Sequence, residues 1–301
     1  MLAPQPLALA DQVVALGVSV DGHVAVSTDG RSGPQVTILA SSAAGLSAGQ
    51  TFSLPESGAS LEFGMLGAGI DLAVGAGSNI VLIYNSASAN PQIETVSFPF
   101  KVQALTLGDF IWDRDGRTEI AALSGDGSIH ILQHGTLETR PVTAADVSAR
   151  RKALRMGAKG KLPNPTALGA WTVAKQLAYT ESAPAGPMSS SAFSSPRLAA
   201  SSTHDVMVID AARGQLNILD TSGKTASSSS AVSFSGAPVA ALALPQKIDT
   251  SRDIVVLTST QVAPLLVVAG PQLTFNVNTT ADIDSVNACA TNSTVTSPPT
   301  R

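Results

Sequence analysis

The sequence has almost no cysteine: Cys289 stands alone among 301 residues, which excludes an intrachain disulfide. It also has little charge, because Asp, Glu, Lys and Arg together make up 13% of the residues, about half of the ~25% found in a typical soluble domain. The net charge is mildly negative, at −4. Nucleic-acid binding needs a clustered positive field, so we expect no nucleic-acid partner.

Long hydrophobic runs are missing as well. The most apolar stretch, 254–270, is interrupted by polar residues at 258–261 and by Pro264. A membrane-spanning helix needs about 20 consecutive apolar residues, so this stretch predicts two strands rather than a span. The residues after Met1 carry neither a basic region nor an apolar core of signal-peptide length. We therefore expect that the sequence is a part of a longer exported protein or that its start is misassigned.

Common catalytic motifs are also absent, since the sequence contains no G-x-S-x-G, no Walker-type phosphate loop and no H-E-x-x-H. His130 and His134 are four residues apart, which on a helix would suit a metal ion. In a predicted strand the same spacing separates them by ~13 Å, so we interpret them as ordinary strand residues. Trp112 and Trp171 are interpreted as packing anchors.

In place of these features the sequence has a repeat. A short apolar strand with an acidic residue just ahead of it, or a histidine in the first instance, recurs at a spacing of 48 residues. The spacing holds for every step except the one between the third and fourth instances, which is 86 residues. The five instances begin at His23, Asp71, Glu119, Asp205 and Asp253.

Each repeat has the same internal order. In the second repeat, a strand at 71–75 is followed by a Gly-Ser-Asn turn and a strand at 80–84, which predicts a hairpin. A further strand-like run precedes each hairpin, and another follows it. A period of roughly 40–50 residues with several antiparallel strands is typical of a β-propeller blade. We predict an all-β protein: a β-propeller over 1–272, with six or seven blades of which five are visible, and a short irregular tail at 273–301.

The long step between the third and fourth instances contains an irregular region at 140–200. Residues 144–156 favour a helix, and six basic residues cluster between Arg150 and Lys161. This cluster could bind an anion or a partner, but a short charge run is more often a solvated face, which is the interpretation we favour. The step itself holds either one degenerate blade or one blade with a long insertion.

A cluster of acidic residues precedes the strand of the third repeat. Asp113, Asp115 and Glu119 follow the pattern D-x-D-G-x-x-E, with Gly116 at the sharp turn. Oxygen ligands at alternating positions, a turn glycine and a closing carboxylate are what a small Ca²⁺ loop needs. The alternative is a structural turn built from Asp and Gly residues.

At this point the chain resembles the FG-GAP (integrin-type, VCBS-like) β-propeller repeat family, through Gly108-Asp109-Phe110, Asp115-Gly116 and Glu119-Ile-Ala. The resemblance implies a propeller and one Ca²⁺ site. Matched to the family's nine-residue loop, the first ligand position falls on Ile111, which cannot coordinate a metal ion. Asp109 could replace it if the two extra residues bulge outward. The predicted ligands are therefore Asp109, Asp113, Asp115 and Glu119.

A second resemblance lies in the tail. Leu273-Thr-Phe-Asn-Val-Asn-Thr-Thr-Ala-Asp282, followed by Cys289, is similar to the opening of the CSLREA-type module of bacterial exported proteins. This resemblance implies a larger surface protein. The alternative is a disordered linker rich in Thr, Ser and Asn.

Three hypotheses for function follow. The first, which we favour, is a non-enzymatic binding or scaffold propeller of an exported bacterial surface protein, located extracellularly or at the cell surface, which presents one loop face to a protein or a glycan. The second is a propeller-type hydrolase or lyase with a site in the central channel, which would need converging catalytic groups. The third is a truncated gene fragment. The acids that precede the strands occupy the positions of structural capping residues, which favours the non-enzymatic hypothesis over the enzyme.

Overall fold

The structure is a computed structural model. It describes residues 11–19, 21–42, 45–67, 69–111, 118–135, 169–178, 193–194, 203–221, 229–244, 253–261 and 263–267, together with the isolated positions 144 and 148. Within these residues the chain forms nineteen β-strands that are grouped into five antiparallel sheets. The all-β prediction is confirmed.

The five sheets follow one another along the chain, and each is a simple meander. Sheet A contains β1 (Gln12–Val18), β2 (Val24–Asp29), β3 (Gln35–Ser42) and β4 (Gly45–Ser53). Sheet B contains β5 (Gly58–Gly64), β6 (Asp71–Ala76), β7 (Asn79–Tyr84) and β8 (Gln92–Ser97). Sheet C contains β9 (Val102–Gly108), β10 (Glu119–Ser124), β11 (Ser128–His134) and β12 (Trp171–Ala178).

The last two sheets complete the series. Sheet D contains β13 (Phe193–Ser194), β14 (Val206–Asp210), β15 (Gln215–Leu219) and β16 (Ser229–Ser233), and sheet E contains β17 (Pro238–Leu244), β18 (Asp253–Thr258) and β19 (Leu265–Val267). Each repeat visible in the sequence is thus one sheet. A sixth or seventh blade is not found among the described residues, so that part of the prediction remains a prediction.

The turn between β6 and β7 shows why the hairpins were predictable. The register pairs Ala76 with Asn79, which leaves two turn residues. Gly77, the first of them, has a φ of 62°. A positive φ at this position is typical of a type II′ turn, whose twist matches that of the flanking strands. A Cβ atom at Gly77 would also lie about 2.1 Å from the carboxyl group of Glu56, which would have to move.

Sheet C accounts for the step of 86 residues between the third and fourth instances of the repeat. The fourth strand of this sheet, β12, pairs with β11 over the whole range from Ser128 to His134. Residues 135–170 therefore connect the third and fourth strands of one blade, and the described residues of the step form no separate blade. The fourth strand, β12, is a single strand of eight residues.

The middle strands supply alternate residues to two different cores. In β6, Leu72 and Val74 pack in the core between sheets A and B, whereas Ala73 packs in the core between B and C. The same alternation occurs in β10 and in β14, whose residues are divided between the cores on either side. Because side chains in a strand point alternately to opposite faces, a strand between two cores is apolar throughout. All six residues of β6 and all six of β10 are buried.

The first strands of successive sheets lie side by side, β1 against β5, β5 against β9 and β9 against β13. Glycine permits the close approach that this requires. A Cβ atom at Gly17 of β1 would lie 3.1 Å from the Cβ of Leu61 on β5, and one at Gly64 of β5 would lie 2.5 Å from Leu107 on β9. The first strands of sheets A to D are therefore neighbours in chain order.

By its internal contacts the chain divides into two units. The first, Met1–Leu137 with Leu162–Gln272, holds all nineteen strands. The second comprises Glu138–Lys161 with Leu273–Arg301. The predicted basic cluster and the predicted tail module lie outside the described residues, so the domain boundary at residue 272 remains a prediction. No helix in the described part of the chain is long and apolar enough to cross a membrane.

Candidate functional site

The predicted Ca²⁺ loop is described at its two ends. Asp109 and Glu119 lie within the described residues, whereas Asp113 and Asp115 lie outside them. Glu119 begins β10 and is 2% exposed. Its Oε2 atom accepts hydrogen bonds from the amides of Phe110, at 2.8 Å, and Ile111, at 3.1 Å. The closing acid of the predicted loop therefore holds the backbone that follows β9.

Asp71 performs the same task in sheet B. It begins β6, is 1% exposed, and its Oδ2 atom accepts hydrogen bonds from the amides of Leu66, at 2.9 Å, and Gly67, at 2.6 Å. The amide of Asn85 donates to its Oδ1 atom at 2.8 Å. Burial raises the pKa of Asp71, and these three donors, which stabilise the charged form, limit the rise. Both acids thus connect the loop after the first strand to the start of the second.

The two remaining acids occupy equivalent positions. Asp205 directly precedes β14 and Asp253 begins β18, and both are buried. In sheet A the position is taken by His23, whose amide donates to the hydroxyl of Ser19 at 2.7 Å. The four acids lie in four separate sheets. Within the described residues, no three His, Cys, Asp or Glu side chains come together as a metal site would require.

Asp109 takes part in a contact between sheets C and D. Its carbonyl oxygen accepts a hydrogen bond from the amide of His204 at 2.6 Å, and its own amide donates to Nδ1 of His204 at 3.3 Å. The His204 ring packs edge-on against Phe110, with a centroid distance of 6.5 Å. An imidazole that accepts at Nδ1 carries its proton on Nε2. The sequence predicted a role for the Asp109 side chain, and this contact uses its backbone.

The two histidines of β11 each stack on an aromatic ring. The ring centroids of His130 and Phe100 are 3.8 Å apart, and those of His134 and Trp171 are 4.8 Å apart. The two rings are nearly parallel in both pairs. Burial lowers the pKa of His130. The indole nitrogen of Trp171 donates to the hydroxyl of Tyr84 at 3.4 Å, across sheets B and C. The interpretation of Trp171 as a packing anchor is confirmed, whereas Trp112 lies outside the described residues.

A cavity of about 710 Å³ is lined by the first strands of sheets A, B and E. Ligand sites of small molecules commonly have volumes of roughly 300–1,000 Å³. Its lining comes from β1 and the turn after it, from β5 and the loop after it, and from β17. The lining residues that matter below are Leu16, Val18, Asp21, Glu62, Met65 and Leu242.

Glu62 is the acidic side chain of β5 in this cavity. Burial raises its pKa to about 8, although a hydrogen bond from the Leu107 amide of β9 acts in the opposite direction. At pH 7 the carboxyl group is therefore mostly protonated. A carboxyl group with this property in a cavity is a candidate functional group.

Asp21 is the second carboxylate of the cavity and behaves differently. It accepts a hydrogen bond from the Ser19 hydroxyl, and its Oδ2 atom lies 3.3 Å from Nε2 of His23. The hydrogen bond from Ser19, followed by the attraction of His23, holds the pKa of Asp21 below its usual value. Asp21 is thus an exposed, ionised group, whereas Glu62 is a protonated group among apolar side chains.

The sequence did not point to Glu62. The signal was the alternation in Gly58–Gly64, where Ser60 and Glu62 alternate with Leu61 and Phe63. Such alternation predicts a strand with two unlike faces. Leu61 packs in the core between sheets A and B, but the strand alone cannot show that the opposite face borders a cavity.

Successive antiparallel meanders that pack face to face, with their first strands around a cavity, define a β-propeller. In agreement with this, the chain is similar in structure to a functionally unknown protein from Desulfotomaculum acetoxidans DSM 771, with a TM-score of 0.52 and 12% identity over 84% of this chain and 64% of that chain. At this identity the likeness shows the fold alone.

Two further solved structures are similar at lower TM-scores. One is BBS1N in complex with ARL6DN, with a TM-score of 0.46 and 12% identity over 85% of this chain and 61% of that chain. The other is a protein from Lactobacillus plantarum, with a TM-score of 0.47 and 12% identity over 87% of this chain and 72% of that chain. The chain spans 61–64% of the length of the structures that it matches first. No protein-family model and no curated protein sequence matches the chain.

Proposed function

We propose that the chain is a non-enzymatic binding and scaffold β-propeller, and that its central cavity is a ligand-binding site. The observation that supports this most strongly is the exposure of large apolar side chains within one concave site. Exposed apolar side chains that cluster in a cleft, beside a few polar groups, are typical of binding sites. The exposed fractions are 50% for Leu16, 60% for Val18, 59% for Met65 and 62% for Leu242.

The positions of the acids that recur in the repeat also support a role without catalysis. Asp71 and Glu119 hold buried backbone amides, which is a structural task. A hydrolase or lyase would need several such groups to converge on a substrate. We further propose, from the resemblance to FG-GAP propellers, that the module belongs to an exported bacterial surface protein and that its loop face contacts a protein or a glycan.

The cavity is tested with Nile red, a neutral apolar dye whose fluorescence rises in an apolar site. We expect saturable binding to the wild-type chain and at least a tenfold weaker affinity in Leu242→Trp, because the larger indole group occupies part of the cavity and hinders the dye. Ile93→Trp is the matched control, since Ile93 is 55% exposed on β8 and does not line the cavity. Equal binding by all three proteins would contradict the cavity as the binding site.

The single Ca²⁺ site remains a prediction from the sequence, and a thermal melt tests it. If Asp109, Asp113, Asp115 and Glu119 bind Ca²⁺, excess Ca²⁺ raises the melting temperature over that in chelator, because a ligand of the native state stabilises it by mass action. Asp115→Ala should abolish the rise. Asp126→Ala, in the exposed β10–β11 turn, is the control and should retain it. No response to Ca²⁺ in the wild-type chain would show that the loop is a structural turn.

A further inference from the structure

The ionisable groups among the described residues of the central cavity are all acidic. Among the described residues that line it there are two carboxyl groups, on Glu62 and Asp21, and no lysine, arginine or histidine. The remainder of the lining is apolar except for the Ser19 hydroxyl, which donates to Asp21. A cavity of this kind favours a cationic occupant over an anionic one.

The residues around Glu62 determine whether the chain itself can neutralise its carboxylate. β9 presents Thr106 and Leu107 to it, β17 presents Ala241 and Leu242 to the cavity, and the turn after β1 presents Asp21, with His23 behind it. No cationic side chain of the described lining can therefore neutralise an ionised Glu62. Apolar side chains of β1 and β17 line the same cavity as Glu62.

We propose that the cavity binds an organic ammonium ion that carries an apolar body, with the ammonium group paired to the Glu62 carboxylate and the body packed on Leu16, Val18, Met65 and Leu242. The proposal rests on the proposed function, because it names the ligand class of that same cavity. An ammonium group supplies the hydrogen-bond donors and the positive charge that a carboxylate in apolar surroundings requires.

Binding of such a ligand is coupled to the loss of a proton from Glu62. Below pH 8 the free chain holds Glu62 mostly protonated, so the ammonium ion must displace a proton in order to form the pair. The fraction of ionised carboxyl group rises about tenfold for each pH unit below the pKa. Between pH 6 and pH 8 the affinity for the ammonium ion should therefore rise by about 50-fold.

The experiment measures the affinity of the chain for 4-phenylbutylamine and for 4-phenylbutanol by isothermal titration calorimetry at pH 6, 7 and 8. The two compounds share one apolar body and differ in charge. We expect the affinity for the amine to rise by about 50-fold over this range and the affinity for the alcohol to stay constant. In Glu62→Gln the amine should lose most of the pH dependence, and its affinity at pH 8 should fall toward that of the alcohol. His23 and Asp21 are unchanged in this variant, so any part that they contribute remains.

The outcomes separate the two proposals. Equal binding of amine and alcohol at every pH, with Nile red binding intact, overturns the ammonium ligand and leaves the cavity as an apolar site. A rise of about 50-fold that persists in Glu62→Gln overturns the role of Glu62. Loss of binding for both compounds together with Nile red overturns the proposed function as well. Circular dichroism of Glu62→Gln at each pH verifies that the variant is folded.

Discussion

Raising the pH from 5 to 9 is expected to lower the free energy of unfolding by about 2–4 kcal/mol through Glu62 alone. The pKa of this carboxyl group is about 8 in the folded chain, compared with an ordinary value of 4.5. Between these two values the folded chain holds the proton that the unfolded chain has lost. The contribution of Glu62 to stability is therefore largest below pH 4.5, falls as the pH rises through this window, and levels off above pH 8.

The measurement is urea denaturation at half-unit intervals of pH for the wild-type chain and for Glu62→Gln. The variant carries a neutral amide at all pH values, so its stability should not include this fall. Asp71 also has a raised pKa, but it is present in both proteins and cancels in the difference. If the two stability profiles run parallel from pH 5 to 9, Glu62 titrates near its ordinary pKa and the account of the cavity is wrong.

Replacement of Asp71 by alanine should destabilise the chain by about 3–5 kcal/mol. The carboxylate accepts three backbone amides, from Leu66, Gly67 and Asn85, at 2.6–2.9 Å. Leu66 and Gly67 are buried, so their amides cannot turn to water when the acceptor is removed. A buried donor left without a partner costs about 1–3 kcal/mol.

Two variants control this prediction in urea denaturation. Asp71→Asn keeps one acceptor oxygen and should lose less stability than Asp71→Ala. Asp126→Ala removes a carboxylate that accepts the Ser128 amide at 2.9 Å in an exposed turn, where water can replace it, and should lose about 1 kcal/mol or less. Equal losses for Asp71→Ala and Asp126→Ala would show that Asp71 is not a buried cap.

The hairpins of the fold could be predicted because each is determined by residues that are close together in the sequence. The hairpin of β6 and β7 is encoded by two apolar runs and by Gly77, and the spacing of 48 residues placed Asp71 and Glu119 at equivalent positions. The insertion at 135–170 could not be placed, because the pairing of β12 with β11 joins residues that are far apart in the chain. A long connection leaves no local signal of which strand it rejoins.

The candidate site was less predictable than the fold. The sequence predicted that the repeat acids precede strands, but the amides that they accept belong to loops of different length, 65–70 in sheet B and 109–118 in sheet C. Glu62 could not be selected because its role depends on three strands, β1, β5 and β17, that meet only in the folded chain. One carboxylate in one strand carries no signal of a cavity.

The most direct test of the central cavity as a binding site is an NMR titration of the methionine methyl groups with 4-phenylbutylamine at pH 8. Met65 lines the cavity and is 59% exposed, whereas Met207 is 1% exposed in the core between sheets D and E. We predict that the Met65 methyl resonance shifts and saturates while that of Met207 stays in place. An unchanged Met65 resonance at saturating amine would contradict the account.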